Sequence, residues 1–140
     1  MGVNDLNAKE LIELYPFLKI NNSYYNSEKE ITWLDFMPQG WVETIGLPLC
    51  RELKDKLNEL NMLEDYEVFQ VKEKYGELRW YDNGNDEIEN IIDKYTTLSK
   101  NTCAECGKPA VILTKGYILP LCNKCRIRFG YTDPKKYFVL

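Results

Sequence analysis

The sequence predicts an α+β protein in which helices pack on a β-hairpin, followed by a small C-terminal module organised by cysteines. Three observations carry that expectation. Val42, Ile45, Leu49, Leu53, Leu57 and Leu60 recur at helical spacing. Two runs rich in β-branched and aromatic residues flank Lys74-Tyr75-Gly76. Four of the five cysteines fall in two Cys-x-x-Cys pairs, Cys103/Cys106 and Cys122/Cys125. With 140 residues, 44% apolar and 13% aromatic, the chain can bury one substantial core. We therefore expect a body over residues 1–100 and a module over residues 101–140 packed directly on it.

The elements follow in order. Asn7 can cap a short helix carrying Leu11, Ile12 and Leu14, which must stop near Tyr15 because Pro16 disfavours helical backbone in the residue before it. Residues 21–27 are polar and turn-rich apart from two tyrosines, and read as a surface loop. Trp33, Phe36, Met37 and Trp41 form an aromatic cluster beside a helix start, expected in the core. Gly46 and Pro48 should split the next apolar run into a short helix and a longer one from Pro48 to Leu60, since proline suits a first turn and not an interior. Residues 66–73 and 77–81 read as strands, joined by Lys74-Tyr75-Gly76 as a three-residue loop with a bulge. Residues 82–86 supply a turn and a cap. Ile88, Ile91, Ile92, Tyr95 and Leu98 then line a helix that runs into Cys103 without a linker. Near the C-terminus, Tyr131, Tyr137, Phe138, Val139 and Leu140 are candidates for a closing strand, or an exposed apolar binding peptide.

The cysteine pairs carry the chemistry. Fifteen residues separate Cys106 from Cys122, the spacing of a tetrahedral site for one ion, and zinc is the expected metal. Gly107 can supply the positive φ that a knuckle needs after the first pair. The second pair reads as the first turn of a short helix, with Cys122 and Cys125 on one face, so treble-clef and zinc-ribbon geometries both fit, the former better. Two disulfides would require an oxidising compartment that nothing else in the sequence suggests. A thioredoxin-like motif needs only one pair. An iron-sulfur cluster takes the same ligands, but the regular spacing favours zinc. Four sulfurs leave no position for water, which makes the site structural, with Cys103, Cys106, Cys122 and Cys125 as ligands to a single Zn²⁺. Cys50 lies on an apolar helix face and reads as a small buried hydrophobe.

The chain contains no histidine, which removes the commonest general base and the usual catalytic zinc ligand. No carboxylate pair stands out from a solvated face, so a non-enzymatic role is expected, with no small-molecule substrate. No apolar run approaches the ~20 residues of a membrane span, and residues 1–5 show neither a signal-peptide pattern nor a myristoylation context. A reducing, cytoplasmic setting fits the thiols. Charge is divided: residues 101–140 carry seven Lys/Arg against two Asp/Glu, while residues 1–100 carry eleven against twenty. Four thiolates and Zn²⁺ add −2, which brings the module from +5 to about +3, an ordinary value for a zinc finger.

Gly40-Trp41 with Leu49-Cys50, then Val71-Lys72-Glu73-Lys74-Tyr75-Gly76-Glu77-Leu78-Arg79-Trp80-Tyr81, then Ser99 ahead of the two cysteine pairs, resembles a family of small bacterial and phage or prophage proteins. These combine a GW…LC segment, a KEK(F/Y)GxLR(F/W)Y hairpin and a C-terminal double CxxC. The resemblance spans about residues 33 to 126 and implies a zinc-binding protein. A looser likeness links residues 103–129 to treble-clef modules of bacterial regulators of RNA polymerase. The long coiled coil of those regulators is missing here, and their function is not carried over.

Two binding readings follow. A protein partner could read Lys72, Lys74, Tyr75 and Arg79 on the hairpin, where tyrosine and arginine are favoured hot-spot types. Cross-strand Lys-Glu and Glu-Arg pairing, or a bridge from Arg79 to an acidic helix, would make the same residues purely structural. Nucleic acid is the alternative partner, through Lys115, Lys124, Arg126, Arg128, Lys135 and Lys136.

Overall fold

The computed structural model describes residues 6–21 and 31–140. It is a mixed helical and sheet protein with two small sheets and a C-terminal four-cysteine cluster. Most of the loop expected over residues 21–27 lies outside the described residues.

The first helix, α1 (Ala8–Leu14), begins as the sequence requires. Asn7 and Glu10 form a reciprocal capping box, and Tyr15 ends the helix before Pro16–Leu18 makes a single 3₁₀ turn. A second capping box, Thr32 with Asp35, starts the 3₁₀ turn Trp33–Phe36. This turn places Trp33, Leu34 and Met37 in the core and leaves Phe36 half-buried.

The helix that follows is not split. A short α2 (Gln39–Trp41) runs through a π turn (Val42–Gly46) into α3 (Leu47–Glu59), with the Leu47 N–H bonded to the Val42 carbonyl. Pro48 has no N–H to offer and its ring crowds the preceding turn. A widened turn just upstream accommodates both effects where a break was expected. Trp41, Ile45, Leu49, Leu53 and Leu57 thereby face one core, with Cys50 buried among them.

Strands β1 (Val68–Lys74) and β2 (Glu77–Asp82) form an antiparallel hairpin. Its connection is two residues long, with Tyr75 at φ 54° and Gly76 at φ 81°, the backbone of a type I′ turn. The expected three-residue loop with a bulge is corrected accordingly: Lys74 pairs with Glu77, and the irregularity lies at the opposite end, between Val68 and Gln70. Positive φ at two successive positions matches the right-handed twist of the strands better than a longer loop would.

Asn85 caps α4 (Asp86–Ser99), whose first turn carries Asp86, Glu87 and Glu89 against the helix dipole. Ile88, Ile92 and Tyr95 are buried and Ile91 is half-buried, while Leu98 at the end of the same stripe is exposed. The Ser99 hydroxyl ties α4 to the hairpin, accepting from the Leu78 N–H (2.9 Å) and donating to the Thr96 carbonyl (2.6 Å). The remaining chain folds into β3 (Ile112–Thr114), β4 (Pro120–Leu121), α5 (Asn123–Arg128), a 3₁₀ turn (Pro134–Lys136) and β5 (Tyr137–Val139). The second sheet has the order β4-β3-β5, so the closing strand forms over Tyr137–Val139, with Tyr131 outside it.

Candidate metal centre

The four cysteines come from two local structures that the sequence specifies. In the first, the Cys103 N–H bonds to the Lys108 carbonyl and the Gly107 N–H returns to the Cys103 carbonyl, closing a knuckle in which Gly107 sits at φ 82°. In the second, Cys122 is the N-cap of α5, and its sulfur accepts from the Cys125 N–H at 3.4 Å. The β3/β4 hairpin lies between them.

All four sulfurs lie within 4.8 Å of one another, and Cys106 and Cys122 are 3.6 Å apart. A disulfide requires about 2.05 Å, and all five cysteines are free thiols. One tetrahedral ion with metal-sulfur bonds of about 2.3 Å would place its ligands about 3.8 Å apart, so the quartet fits a single ion. The ring is too tight to enclose a multinuclear cluster. Cys103, Cys122 and Cys125 are buried while Cys106 faces solvent. Burial pushes the Cys122 thiol up, but hydrogen bonds from the Cys125 N–H and from the Cys125, Cys106 and Cys103 thiols outweigh it and bring it down to about 7. Burial and the neighbouring sulfurs push Cys125 up. A bound cation would hold all four as thiolates and crosslink knuckle to helix, with no coordination position left for substrate.

The knuckle is seated on the body backbone to backbone. The Gly40 N–H donates to the Ala104 carbonyl (2.9 Å), and the Trp41 indole donates to the Thr102 carbonyl (2.9 Å). A Cβ on Gly40 would stand 2.5 Å from the Cys103 carbonyl oxygen, and one on Gly107 would stand 2.6 Å from the Gly40 carbonyl oxygen. Gln39 and Arg128 both donate to one Glu105 oxygen, at 2.8 and 3.0 Å. Ile118 packs against the hairpin turn at Gly76, and Leu119 packs on the main core. Tyr117 is exposed and reaches back through its hydroxyl to Glu73 (2.8 Å).

The partner residues expected on the hairpin divide. Tyr75 stands at the tip, 70% exposed, with the Lys74 ammonium 5.5 Å from its ring centre. Lys72 and Arg79 occupy paired positions on the outer face. The expected cross-strand Glu-Arg pair is absent among the described residues, because Arg79 faces Lys72 and forms an ion pair with Glu77 on its own strand (2.6 Å). Lys100 joins the same carboxylate at 3.2 Å.

The basic residues divide as well. Arg126 bonds Asn123 and the Tyr131 carbonyl and lies over the Tyr137 ring, and Arg128 pairs with Glu105, so both hold the module together. Lys115, Lys124, Lys135 and Lys136 are exposed and form no ion pair among the described residues, although Lys115 covers the Phe138 ring. Cys50 is fully buried, which pushes its thiol far up and leaves it inert.

Sequence reasoning missed a buried polar network in which the Tyr66 hydroxyl donates to Asp82 and accepts the Trp80 indole N–H (3.0 Å). These residues lie in paired strands or just before one, but pairing them needs the register and the bulge. Comparison with known proteins gives no significant match to any family model, curated protein or solved structure.

Proposed function

We propose that this chain is a non-catalytic, zinc-stabilised binding protein that engages another protein, as an accessory or inhibitory factor of phage or prophage type. Zinc is supported by four sulfurs at single-ion spacing on a knuckle and a helix start, a treble-clef-like arrangement. The division into a body over residues 1–100 and a module over residues 101–140 is supported by two clusters of buried side chains. Cys103, Ile112, Leu121, Cys122 and Cys125 form the smaller one, bridged to the larger by Ala104. The phage assignment is supported by the resemblance of the hairpin and cysteine motifs, and the cytoplasmic setting by the thiol chemistry of the site.

The observation that carries the protein-binding reading is Tyr75. A large aromatic held 70% exposed at positive φ, on a turn pinned by Ile118, is displayed for contact, since burying it elsewhere would serve stability better. Affinity capture with the zinc-bound protein, compared with Tyr75→Ala and Arg79→Glu, tests it. The two variants should lose the same partner. An unchanged partner set in both would refute this surface.

A second reading rests on Lys115, Lys124, Lys135 and Lys136, exposed lysines of the module that form no ion pair among the described residues and could contact nucleic-acid phosphates. It requires binding that falls steeply with salt.

A further inference from the structure

Between the body and the metal module runs a cleft of about 710 Å³. The volume lies within the about 300–1,000 Å³ of ligand-binding cavities. Phe36 and Pro38 wall it from the body, Tyr117 and Leu119 from the β3/β4 hairpin, and Phe129 and Tyr131 from the C-terminal end of α5. Two carboxylates border these walls, and only one has its charge matched. Glu105 accepts from the Arg128 guanidinium (3.0 Å). Glu73 accepts from the Tyr117 hydroxyl on one oxygen (2.8 Å) and from the Gly76 N–H on the other (2.9 Å). Both donors are neutral, and Glu73 forms no ion pair among the described residues.

Strand alternation decides which charges of β1 face the module. Glu73 follows the buried Val71 on one face and pairs with the buried Leu78, so its carboxylate lies on the inner side of the hairpin, where it meets Tyr117. Lys72 lies between them on the outer face, opposite Arg79, with its ammonium 5.9 Å from the Tyr81 ring centre. Each carboxylate oxygen has two lone pairs, so each Glu73 oxygen has room for one more donor. A carboxylate with spare acceptor capacity among aromatic rings, whose faces are electronegative, is complementary to a cation. Resting on the protein-binding reading above, we infer that the cleft receives an arginine side chain of the partner protein together with an adjoining bulky apolar one. The guanidinium bonds Glu73 and stacks on the aromatic wall, which its planar fork suits better than an ammonium does. The apolar group occupies the space between Phe36, Leu119 and Phe129. This site is continuous with the hairpin tip. Gly76 donates to Glu73 and packs on Ile118, and Tyr75 precedes it in the same turn, so a partner that contacts Tyr75 stands next to the Glu73 end of the cleft.

A random heptapeptide display library selected on the zinc-bound full chain tests the assignment. The selected peptides should be enriched in arginine next to a large apolar residue. The strongest, resynthesised, should bind at least about tenfold more weakly when citrulline replaces its arginine, a change that keeps the shape and removes the charge. Glu73→Gln should weaken the parent peptide to a similar extent and have little further effect on the citrulline form, the coupling expected of a direct contact. Phe129→Ser should weaken both forms. Tyr75→Ala should do so too, since an extended heptapeptide spans about 23 Å and reaches from the cleft to the turn. Zinc content and near-ultraviolet circular dichroism verify that each variant is folded. Equal binding of the arginine and citrulline peptides, or of wild type and Glu73→Gln, overturns the cleft assignment, as does enrichment of acidic sequences. If Tyr75→Ala and Arg79→Glu abolish binding while Glu73→Gln and citrulline leave it unchanged, the protein-binding reading stands and the cleft falls. Loss with Glu73→Gln and citrulline but not with Tyr75→Ala keeps the cleft and removes Tyr75 from the surface. A library that yields no enriched sequence refutes the cleft, and affinity capture that also returns no partner refutes the broader reading.

Discussion

Replacing Gly40 with alanine sets local helix preference against tertiary packing, and the two predict opposite signs. Gly40 lies within α2, where alanine is favoured over glycine by about 1 kcal/mol. Its missing side chain, however, is where the metal knuckle sits. The added Cβ would be 2.5 Å from the Cys103 carbonyl oxygen and 2.7 Å from the Ala104 carbonyl carbon and oxygen, all backbone atoms that cannot swing aside. Forcing them apart costs about 1–3 kcal/mol as overpacking. It also stretches the Gly40-to-Ala104 and Trp41-to-Thr102 hydrogen bonds, each worth about 1 kcal/mol. Subtracting the helix preference leaves a net destabilisation of about 2–4 kcal/mol, which for a chain of this size lowers Tm by about 10 °C. Thermal and urea unfolding of the zinc-bound protein would measure it, with zinc content determined alongside. A Gly40→Ala protein as stable as wild type, or more so, with full zinc content would show that the knuckle does not dock on this helix.

Four further outcomes are expected. Cys103→Ser and Cys122→Ser should each abolish stoichiometric zinc binding and yield insoluble or unfolded protein, because structural zinc contributes about 10–16 kcal/mol, comparable with a domain's whole stability; full metal content by elemental analysis would contradict this. A strong chelator should unfold the wild-type protein, with circular dichroism tracking zinc release, and a native spectrum after complete removal would show that the metal is dispensable. Tyr66→Phe should cost about 1–3 kcal/mol by stranding the Trp80 N–H and leaving the part-buried Asp82 carboxylate with the Gly84 N–H but without its hydroxyl donor. Burial raises the Asp82 pKa above the usual 3.8 while the Tyr66 hydroxyl holds it down, so the folded state keeps a proton the unfolded state has lost. Stability from this group therefore falls as pH rises above 3.8, and Tyr66→Phe should raise the Asp82 pKa further; carboxyl carbon NMR titration checks this, an unmoved midpoint being the contrary result. If nucleic acid is a ligand, Lys135→Glu with Lys136→Glu should abolish a salt-sensitive gel shift, and no shift at low salt for wild type would remove that reading.

Much of the architecture could be read in the chain because the signals are local. Asn7 and Asn85 cap helices through their own side chains a few residues away, and Gly107 and Gly76 take positive φ wherever they are needed, so short windows of sequence suffice. The cysteine quartet was legible for a related reason: a pair two residues apart closes on one ion through local turns, and two such pairs leave few alternatives. The hairpin loop was misjudged by one residue because Lys74-Tyr75-Gly76 suits either turn length, and only the register with Glu77 decides. The helix expected to break at Gly46 and Pro48 continues through a π turn, and Leu34 and Met37 pack so closely on Gly46 that a Cβ there would stand 2.8 Å from Leu34, a contact between segments that no local window contains.

What the sequence determined by itself is the inventory: where helices start, where the chain reverses, and which four sulfurs can share an ion, since each depends on atoms within a few bonds of one another. The tertiary structure alone decided that Gly40 is the seat of the knuckle, that Arg79 faces Lys72, that Tyr66, Trp80 and Asp82 share one buried network, and that a cleft opens beside Glu73. Those features arise where segments distant in the chain are pressed together, and steric exclusion and hydrogen-bond geometry at such contacts depend on positions that composition and spacing do not encode.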